Sequence, residues 1–457
     1  MSGVTPVLTG PALVAFRNKR RVDEPNDQYR SPSEHDRDRI LYSSAFRRLA
    51  NVTQVVSAHE TQLFHNRLTH SLKVAQIGKR LAQYLLKRTA QPLIEAAGGL
   101  DPEVVEAAAL AHDLGHPPFG HIAEEELQRL LDPEGIDSFE GNAQSFRIIT
   151  KLAVRGDESD IPSLNLTRAT LRAVLKYPWL KGQPLAPRYK LKWGAYQTEE
   201  DHLNFAREGL PELVPSLEAR LMDWSDDVAY AVHDVEDFYR AGLIPLDRLA
   251  RLGTSPESIE ASAFLEYCVT RYEERDYDPE KLKTAYDGLR LLFPSQPYLG
   301  NREASSVLHS LASYLITRCI GAVRVTSSGG VDIDAVSRHE VAVLEGLTWY
   351  YVIDSPSLAT LQIGQRRIVE RVFIRLRSWM AEADSRASRL PTALSYMLDT
   401  ISGDPAANKL SAGSPARLRT RALVDYLTSL TEEQVTELDS RLDGRSPQSA
   451  LDPWLRA

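Results

Sequence analysis

Apolar residues recur along this chain at three- and four-residue spacing, the period of a helix with one buried face. Leu72, Ala75, Ile77, Leu81, Leu85 and Leu86 mark one such helix. Val104, Val105, Ala108, Leu110 and Ala111 mark a second, and Leu221, Val228, Val232 and Val235 a third. Period-two alternation is scarce, and only Gly321 to Val331 reads as a short hairpin. The class is therefore mainly α. Segments 17–39, 132–142, 177–200 and 402–416 are dense in charge, proline or glycine and read as loops. Beyond the last of them, Arg417 to Leu442 reads as one amphipathic helix, and the final fifteen residues read as frayed. The pattern favours one compact helical domain over residues 30–385 with a helical C-terminal extension, and allows a division near 245. In that division 1–30 is a partly flexible N-terminal segment and 31–245 the core. The helical region 246–457 is expected to complete a pocket and to supply oligomer contacts.

Composition narrows the class. A chain of 457 residues with 43% hydrophobic content can bury one large core or two ordinary ones. A net charge of -8 argues against binding nucleic acid over the whole surface, leaving room only for a local basic groove. The two cysteines, Cys268 and Cys319, have no CxxC spacing, so neither a disulfide framework nor a thiolate zinc site is expected, and a reducing compartment fits. The opening MSGVTPVLTGPALVAF has no basic region ahead of its apolar stretch. No apolar run reaches the ~18 residues of a membrane span. A soluble cytoplasmic protein is expected.

The candidate chemistry lies in histidines and aspartates. His112, Asp113, His116 and His121 fall within HDLGHPPFGH, and His70 within RLTHS at the start of a helix. A lone histidine is usually structural or solvated. Here imidazole and carboxylate are adjacent where a helix stops, with Gly115 offering a C-cap and Pro117-Pro118 blocking continuation. Nitrogen and oxygen donors suit a divalent first-row cation. A third helix adds Asp226, Tyr230 and Asp234, which at about 100° per residue span about 80° of its surface. His121 and Glu124 stand three apart at the start of HIAEEELQRLL and can form an acid/base pair.

The order H…HD…D resembles the HD superfamily of metal-dependent phosphohydrolases. The longer strings RLTHS, HDLGHPPFGH and SDDVAY are similar to the deoxyguanosinetriphosphate triphosphohydrolase branch. So are RILYSSAFRRL with Thr53-Gln54-Val55, FEGNAQ (Phe139 to Gln144) and LKYP (Leu175 to Pro178). Asp425 to Thr431 is a weaker late echo of the branch's "DYISGMT". The resemblance implies an HD-domain helical fold with its core in 31–245, and hydrolysis of a deoxynucleoside triphosphate to deoxynucleoside and tripolyphosphate. It implies His70, His112, Asp113 and Asp226 as metal ligands, with Asp227 the alternative fourth, and His121 with Glu124 as the catalytic pair. Arg67, His116 and Lys192 are implied near phosphate, and Gln54, Tyr230 and Asp234 around the sugar, with Asn142 a further pocket residue. Manganese, magnesium, iron, nickel and zinc all suit the donors, with manganese or magnesium expected for activity. Further expected partners are an activating nucleotide at a second site, single-stranded nucleic acid, and other copies of the chain in a tetramer or hexamer. Val52 stands where the branch often has lysine and Ser225 where it often has alanine, and the late motif has lost its glycine and methionine; these differences leave the preferred base open. The rival readings are another HD nucleotidase or phosphodiesterase, a nucleotide-sensing or single-strand-binding protein of the same fold, and a structural metal protein.

Overall fold

The computed structural model describes residues 8–445 apart from 26, 56–63, 133–136, 156–162, 184–189, 212, 252–255, 276, 328, 384–389 and 411–414. Among the described residues the mainly-α expectation holds, with 21 α-helices against a single two-stranded sheet. The sheet is the expected hairpin. Val323–Val325 pairs antiparallel with Val331–Ile333, with Val323 opposite Ile333.

Three helices carry the centre: Arg67–Arg88, Pro102–Ala111 and Leu217–Arg240. Their apolar stripes meet, burying Ile77, Leu81 and Leu85 against Val104, Val105 and Ala108 and against Leu221, Val228 and Val232. Leu72 and Leu86, counted in the same stripe from sequence, are instead exposed at 43% and 37%. Gly78 permits the close crossing: a Cβ there would stand 2.9 Å from Val105 Cγ1 and 3.3 Å from Ser225 Oγ. The core around these helices runs unbroken from Ile40 past Leu249 to Val352, so apolar packing is continuous across residue 245. A second cluster joins Ala123, Leu127 and Leu131 of His121–Leu131 to Val369 and Phe373 of Pro356–Glu382 and to Leu423, Leu427 and Leu438. The C-terminal helices thus cover the outer side of the helix that begins at His121.

Several expected loops contain helices. Within 17–39, Pro32–Tyr42 is helical, opened by a capping box between Ser31 and Glu34. Its charges are spent on ion pairs, Arg20 with Asp36 and Arg37 with Glu103, so the stretch lacks the apolar period that reveals a helix. Pro405–Leu410 is likewise helical inside 402–416. In 132–142 the helix Gly141–Arg147 begins at the last two residues, and 177–200 is irregular where described apart from a short turn at Gln197–Glu199 and the start of Glu200–Arg207. Arg417 to Leu442 is not one helix but two, Pro415–Ser429 and Glu432–Leu442, because Thr431 and Gln434 form a capping box that starts a new one. In 1–30, Gly10–Asn18 is helical and Arg17 pairs with the buried Glu218 at 2.5 Å. Most of the final fifteen residues, 446–457, lies outside the described residues.

Candidate active site

The first turn of Arg67–Arg88 is set by Asn66, whose side chain accepts from Thr69 N at 2.9 Å and donates to Ala50 O at 3.0 Å. That cap places Arg67 and His70, both buried, at the foot of the helix. Pro102–Ala111 ends one residue before His112, so His112 is the cap and Asp113 lies in the turn that follows. Gly115 does not serve as the left-handed cap expected from sequence; it is not among the glycines with positive φ. It is needed for close approach: a Cβ there would fall 2.2 Å from Gly141 O and from Ser145 N. Ser145 locks this contact, donating to His112 O at 2.7 Å and accepting from Gly115 N at 2.9 Å. The helix Gly141–Arg147, which begins inside FEGNAQ, is therefore a brace against the His112–Asp113 turn.

Four side chains converge from these elements. His70 Nε2 lies 3.0 Å from Asp226 Oδ1. His112 Nε2 lies 3.5 Å from the same oxygen and 3.4 Å from Asp113 Oδ1. His112 Nδ1 donates to Ala109 O at 2.6 Å, which orients the ring so that Nε2 faces two carboxylates. That nitrogen is buried and has no hydrogen-bond partner among the described residues. Burial pulls the His112 imidazole down, but Asp113 and Asp226 together outweigh it and push it up to about 9. Against burial, His112 and its neighbouring cations hold both carboxyls well below the usual range. Converging acceptors in so negative a field fit a divalent cation, and donor atoms of His70, His112 and Asp113 lie within 4.8 Å of one another. Asp226 is the aspartate that reaches both imidazoles. Asp227 makes no such contact with either ring among the described residues, and its carboxyl is raised by burial and by Asp223.

A second group stands beside this one. His121 opens its helix after Phe119 and Gly120, both at positive φ (68° and 59°). Its Nδ1 lies 3.0 Å from Glu124 Oε2, while Glu124 Oε1 accepts from Gly141 N at 2.9 Å. His116 Nδ1 is 2.9 Å from Asp113 Oδ1, and burial together with Arg67 pushes this imidazole down to about 4, so it is neutral at pH 7. The His116 and His121 rings are 5.2 Å apart. Arg67 Nη1 donates to Asp113 Oδ2 at 2.8 Å, and its Nε has no partner among the described residues. Lys192 Nζ lies 3.1 Å from Glu140 Oε1 and 3.8 Å from Glu124 Oε1. Asn142 Nδ2 donates to Glu140 Oε1 at 2.9 Å.

Both groups face one cleft of about 630 Å³. Of the residues singled out from sequence, His112, Asp113, His116, His121, Arg67, Asn142, Lys192, Asp226, Asp227, Tyr230 and Gln54 line it. His70, Glu124 and Asp234 are not in the lining and sit behind it; Asp234 Oδ2 is buried and has no partner among the described residues. Sequence reasoning gave no site role to Lys176 and Tyr177, although LKYP was in view; Lys176 pairs with Asp223 and stands 3.9 Å from Asp226 Oδ2. It missed the opposite wall altogether, where Glu345, Trp349 and Arg366 come from the C-terminal region. Burial pushes the Glu345 carboxyl up to about 7, and Tyr272 Oη donates to it at 3.2 Å. Trp349 begins a π-helical turn, with the Arg271 guanidinium 3.5 Å above its ring.

The comparisons agree with this geometry. The family model for the HD domain matches residues 67–231. A deoxyguanosinetriphosphate triphosphohydrolase-like protein of Streptomyces coelicolor is 36% identical, covering 97% of this chain and 100% of its own length. Proteins of the same name from Corynebacterium efficiens (38% identical, 79% of this chain and 86% of theirs) and from a Jannaschia species (31%, 93% and 92%) are also similar. No described helix is long and apolar enough to cross a membrane.

Proposed function

Since the chain belongs to the family of deoxyguanosinetriphosphate triphosphohydrolase-like proteins and carries an HD domain, we propose that it hydrolyses deoxynucleoside triphosphates to deoxynucleoside and tripolyphosphate. The observation that carries this reading is His121, which lines the same cleft as the imidazole–carboxylate centre and is bonded to Glu124 behind the wall. Water adds to the α-phosphorus, the bond to the 5′ oxygen breaks, and one proton must move from the water side to that oxygen.

His70, His112, Asp113 and Asp226 would hold the cation, manganese or magnesium in our reading. When bound there it would polarise an α-phosphate oxygen and lower the pKa of water from about 15.7 towards ~7. Glu124 fixes the His121 proton on Nδ1 and leaves Nε2 to exchange a proton with the water or with the 5′ oxygen. Arg67, His116, Lys192 and Lys176 offer donors to a polyphosphate. Neutral His116 can donate only from the ring nitrogen that is protonated. Tyr230 follows Asp226 by one helical turn and Asp234 by two, so we assign them, with Gln54, to the deoxyribose. A ring packed on C2′ leaves no room for a ribose hydroxyl, and exclusion of that kind discriminates strongly.

The deciding experiment offers each dNTP, singly and in mixture, to the manganese-loaded protein and identifies the products. Tripolyphosphate supports the reading; monophosphate or pyrophosphate overturns it in favour of another HD phosphohydrolase. Turnover that needs a second nucleotide in the mixture would place an activating site on the protein.

A further inference from the structure

The turn between the last two helices touches both loops of the cleft. Glu432, first residue of Glu432–Leu442, is 3% exposed although it carries a carboxylate. Its Oε1 accepts from Thr53 N at 2.7 Å and from Phe119 N at 3.0 Å, and its Oε2 accepts from Thr53 Oγ1 at 2.8 Å. Two residues earlier, Leu430 O accepts from Arg48 Nη1 at 3.2 Å. Arg48 Nη2 in turn donates to Leu114 O at 2.9 Å and to His116 O at 2.7 Å. One turn of the C-terminal region therefore grips both ends of the 114–120 loop and ties it to Thr53.

What it grips matters for the chemistry. Phe119 has φ 68°, a conformation that a bulky side chain rarely adopts, and it stands between His116 and His121. Thr53 precedes the cleft residue Gln54 and pairs with Asn66, the cap residue that sets Arg67 and His70. A single carboxylate thus fixes, through two backbone N–H groups, the spacing between the loop that delivers His121 and the Thr53 backbone bridged to Asn66 at the foot of the His70 helix. A bond to a charged acceptor is stronger than a neutral one, and two such bonds to one oxygen leave the loop little freedom.

We propose that Glu432 is a positioning residue for hydrolysis: it holds the Phe119 turn, and through it His121, in register with Gln54 and Arg67. The role rests on the functional reading above, because it takes His121 as the proton-transfer group. Displacement of a catalytic group by about 1 Å can cost about 10²-fold in rate. Glu432→Ala loses roughly that factor in kcat while keeping its bound metal. Glu432→Gln keeps most of the rate, because the amide oxygen still accepts from both Thr53 N and Phe119 N.

The test pairs steady-state kinetics and metal analysis with hydrogen exchange of the backbone at 50–54 and 114–120, in Glu432→Ala, Glu432→Gln and Glu432→Asp. Asp439→Ala is the control. Asp439 is buried on the same helix but bonds Arg371 rather than either loop. Faster exchange in both segments with a fall in kcat for Glu432→Ala, absent from Asp439→Ala, supports the proposal. Unchanged exchange, near-normal kcat in Glu432→Ala, or an equal loss of kcat in Asp439→Ala overturns it. If Glu432→Ala does not fold, Glu432→Asp decides in the same way, since it keeps the charge and loses the reach. If the wild-type protein turns over no dNTP, the functional reading fails instead, and the exchange contrast alone then decides whether Glu432 clamps the loops.

Discussion

His121 Nδ1 meets Glu124 Oε2 at 3.0 Å, and the two groups are solvated very differently, the imidazole side chain 67% exposed and the carboxylate 5%. Burial would raise the Glu124 carboxyl, but the bond to His121 and the charge of Lys192 hold it well below the usual range. The carboxylate is thus a fixed anchor, and the exposed ring presents Nε2 to the cleft. Proton transfer by a positioned side chain is worth ~10²–10⁴-fold. His121→Ala is expected to lose about that much in single-turnover rate and to keep its metal and its dNTP affinity. Glu124→Ala is expected to lose less, because it orients the ring without exchanging the substrate's proton. Near full speed in His121→Ala would show that the acid/base group lies elsewhere, and loss of metal would make His121 a ligand.

The choice between neighbouring aspartates is open to direct measurement. Asp226 Oδ1 stands 3.0 Å from His70 Nε2 and 3.5 Å from His112 Nε2, whereas no such contact joins Asp227 to either ring among the described ion pairs. Asp226→Ala is expected to lose bound metal and hydrolysis together, and Asp227→Ala to keep its metal. Elemental analysis of the two purified variants checks this, and full occupancy in Asp226→Ala would reverse the assignment.

The centre was legible in sequence because its residues are local strings on helices of clear period. His112 and Asp113 are adjacent, His70 follows a helix start, and Asp226 lies on a stripe beside Val228 and Val232. Gly115 was misread because a glycine needed for close backbone approach looks in sequence like one needed for a left-handed cap. The division at Thr431 was there to be read, since Thr431 and Gln434 have capping-box spacing, but the apolar period continues on both sides and masks it. Glu432, Glu345 and Trp349 gave no signal. Each reaches the cleft or its loops only through tertiary packing of helices remote from the motifs, and an isolated acid or aromatic on a helix reads as surface or core.

Tyr230 stands on the cleft wall, one helical turn past Asp226, and its proposed packing against the sugar can be tested. dGTP and the other dNTPs are expected to be hydrolysed and the matching ribonucleotides poorly or not at all. Tyr230→Ala is expected to raise kcat/KM for GTP relative to dGTP by opening room at C2′. Competition assays on matched pairs measure the ratio. Equal turnover of GTP and dGTP by the unmodified protein would sink the assignment of Tyr230 to the sugar.

His202 makes stability depend on pH away from the cleft. Both of its ring nitrogens are buried without partners among the described residues, and burial, then Arg21 and Lys151, pushes its pKa down to about 3. An unfolded histidine takes up a proton below about pH 6.5. The folded ring does not, so its contribution is full above pH 6.5 and is lost as the pH falls from there towards 3. At pH 5 the loss from this residue is about 2 kcal/mol relative to pH 8. Urea unfolding of wild type and His202→Leu at both values isolates it, because packing costs common to the two pH values cancel. An equal pH 8 to pH 5 drop in the two proteins would remove His202 from the account.

Arg147 and Asp425 join the central helices to the C-terminal ones through a buried ion pair. Arg147 Nη2 donates to Asp425 Oδ2 at 2.8 Å and Nη1 to Glu199 Oε1 at 2.7 Å, and Gln144 Nε2 donates to Asp425 Oδ1 at 3.0 Å. Arg147, Asp425, Glu199 and Gln144 are all at most 2% exposed. Removing one partner of a buried pair costs about 3–5 kcal/mol, mainly because the other charge is left without compensation. Replacing both by apolar groups is often far cheaper. Asp425→Ala is therefore expected to be strongly destabilising, and Arg147→Met with Asp425→Leu less so than the single change. In the double variant Glu199 keeps Lys151, 3.5 Å away, as its partner. Because Gln144 and Ser145 share the helix that braces the His112–Asp113 turn, Asp425→Ala should also raise hydrogen exchange in that turn. Urea unfolding of the single and double variants is the measurement. A cost below about 1 kcal/mol for Asp425→Ala would mean that water reaches Arg147 and that the pair does not hold the C-terminal helices to the core.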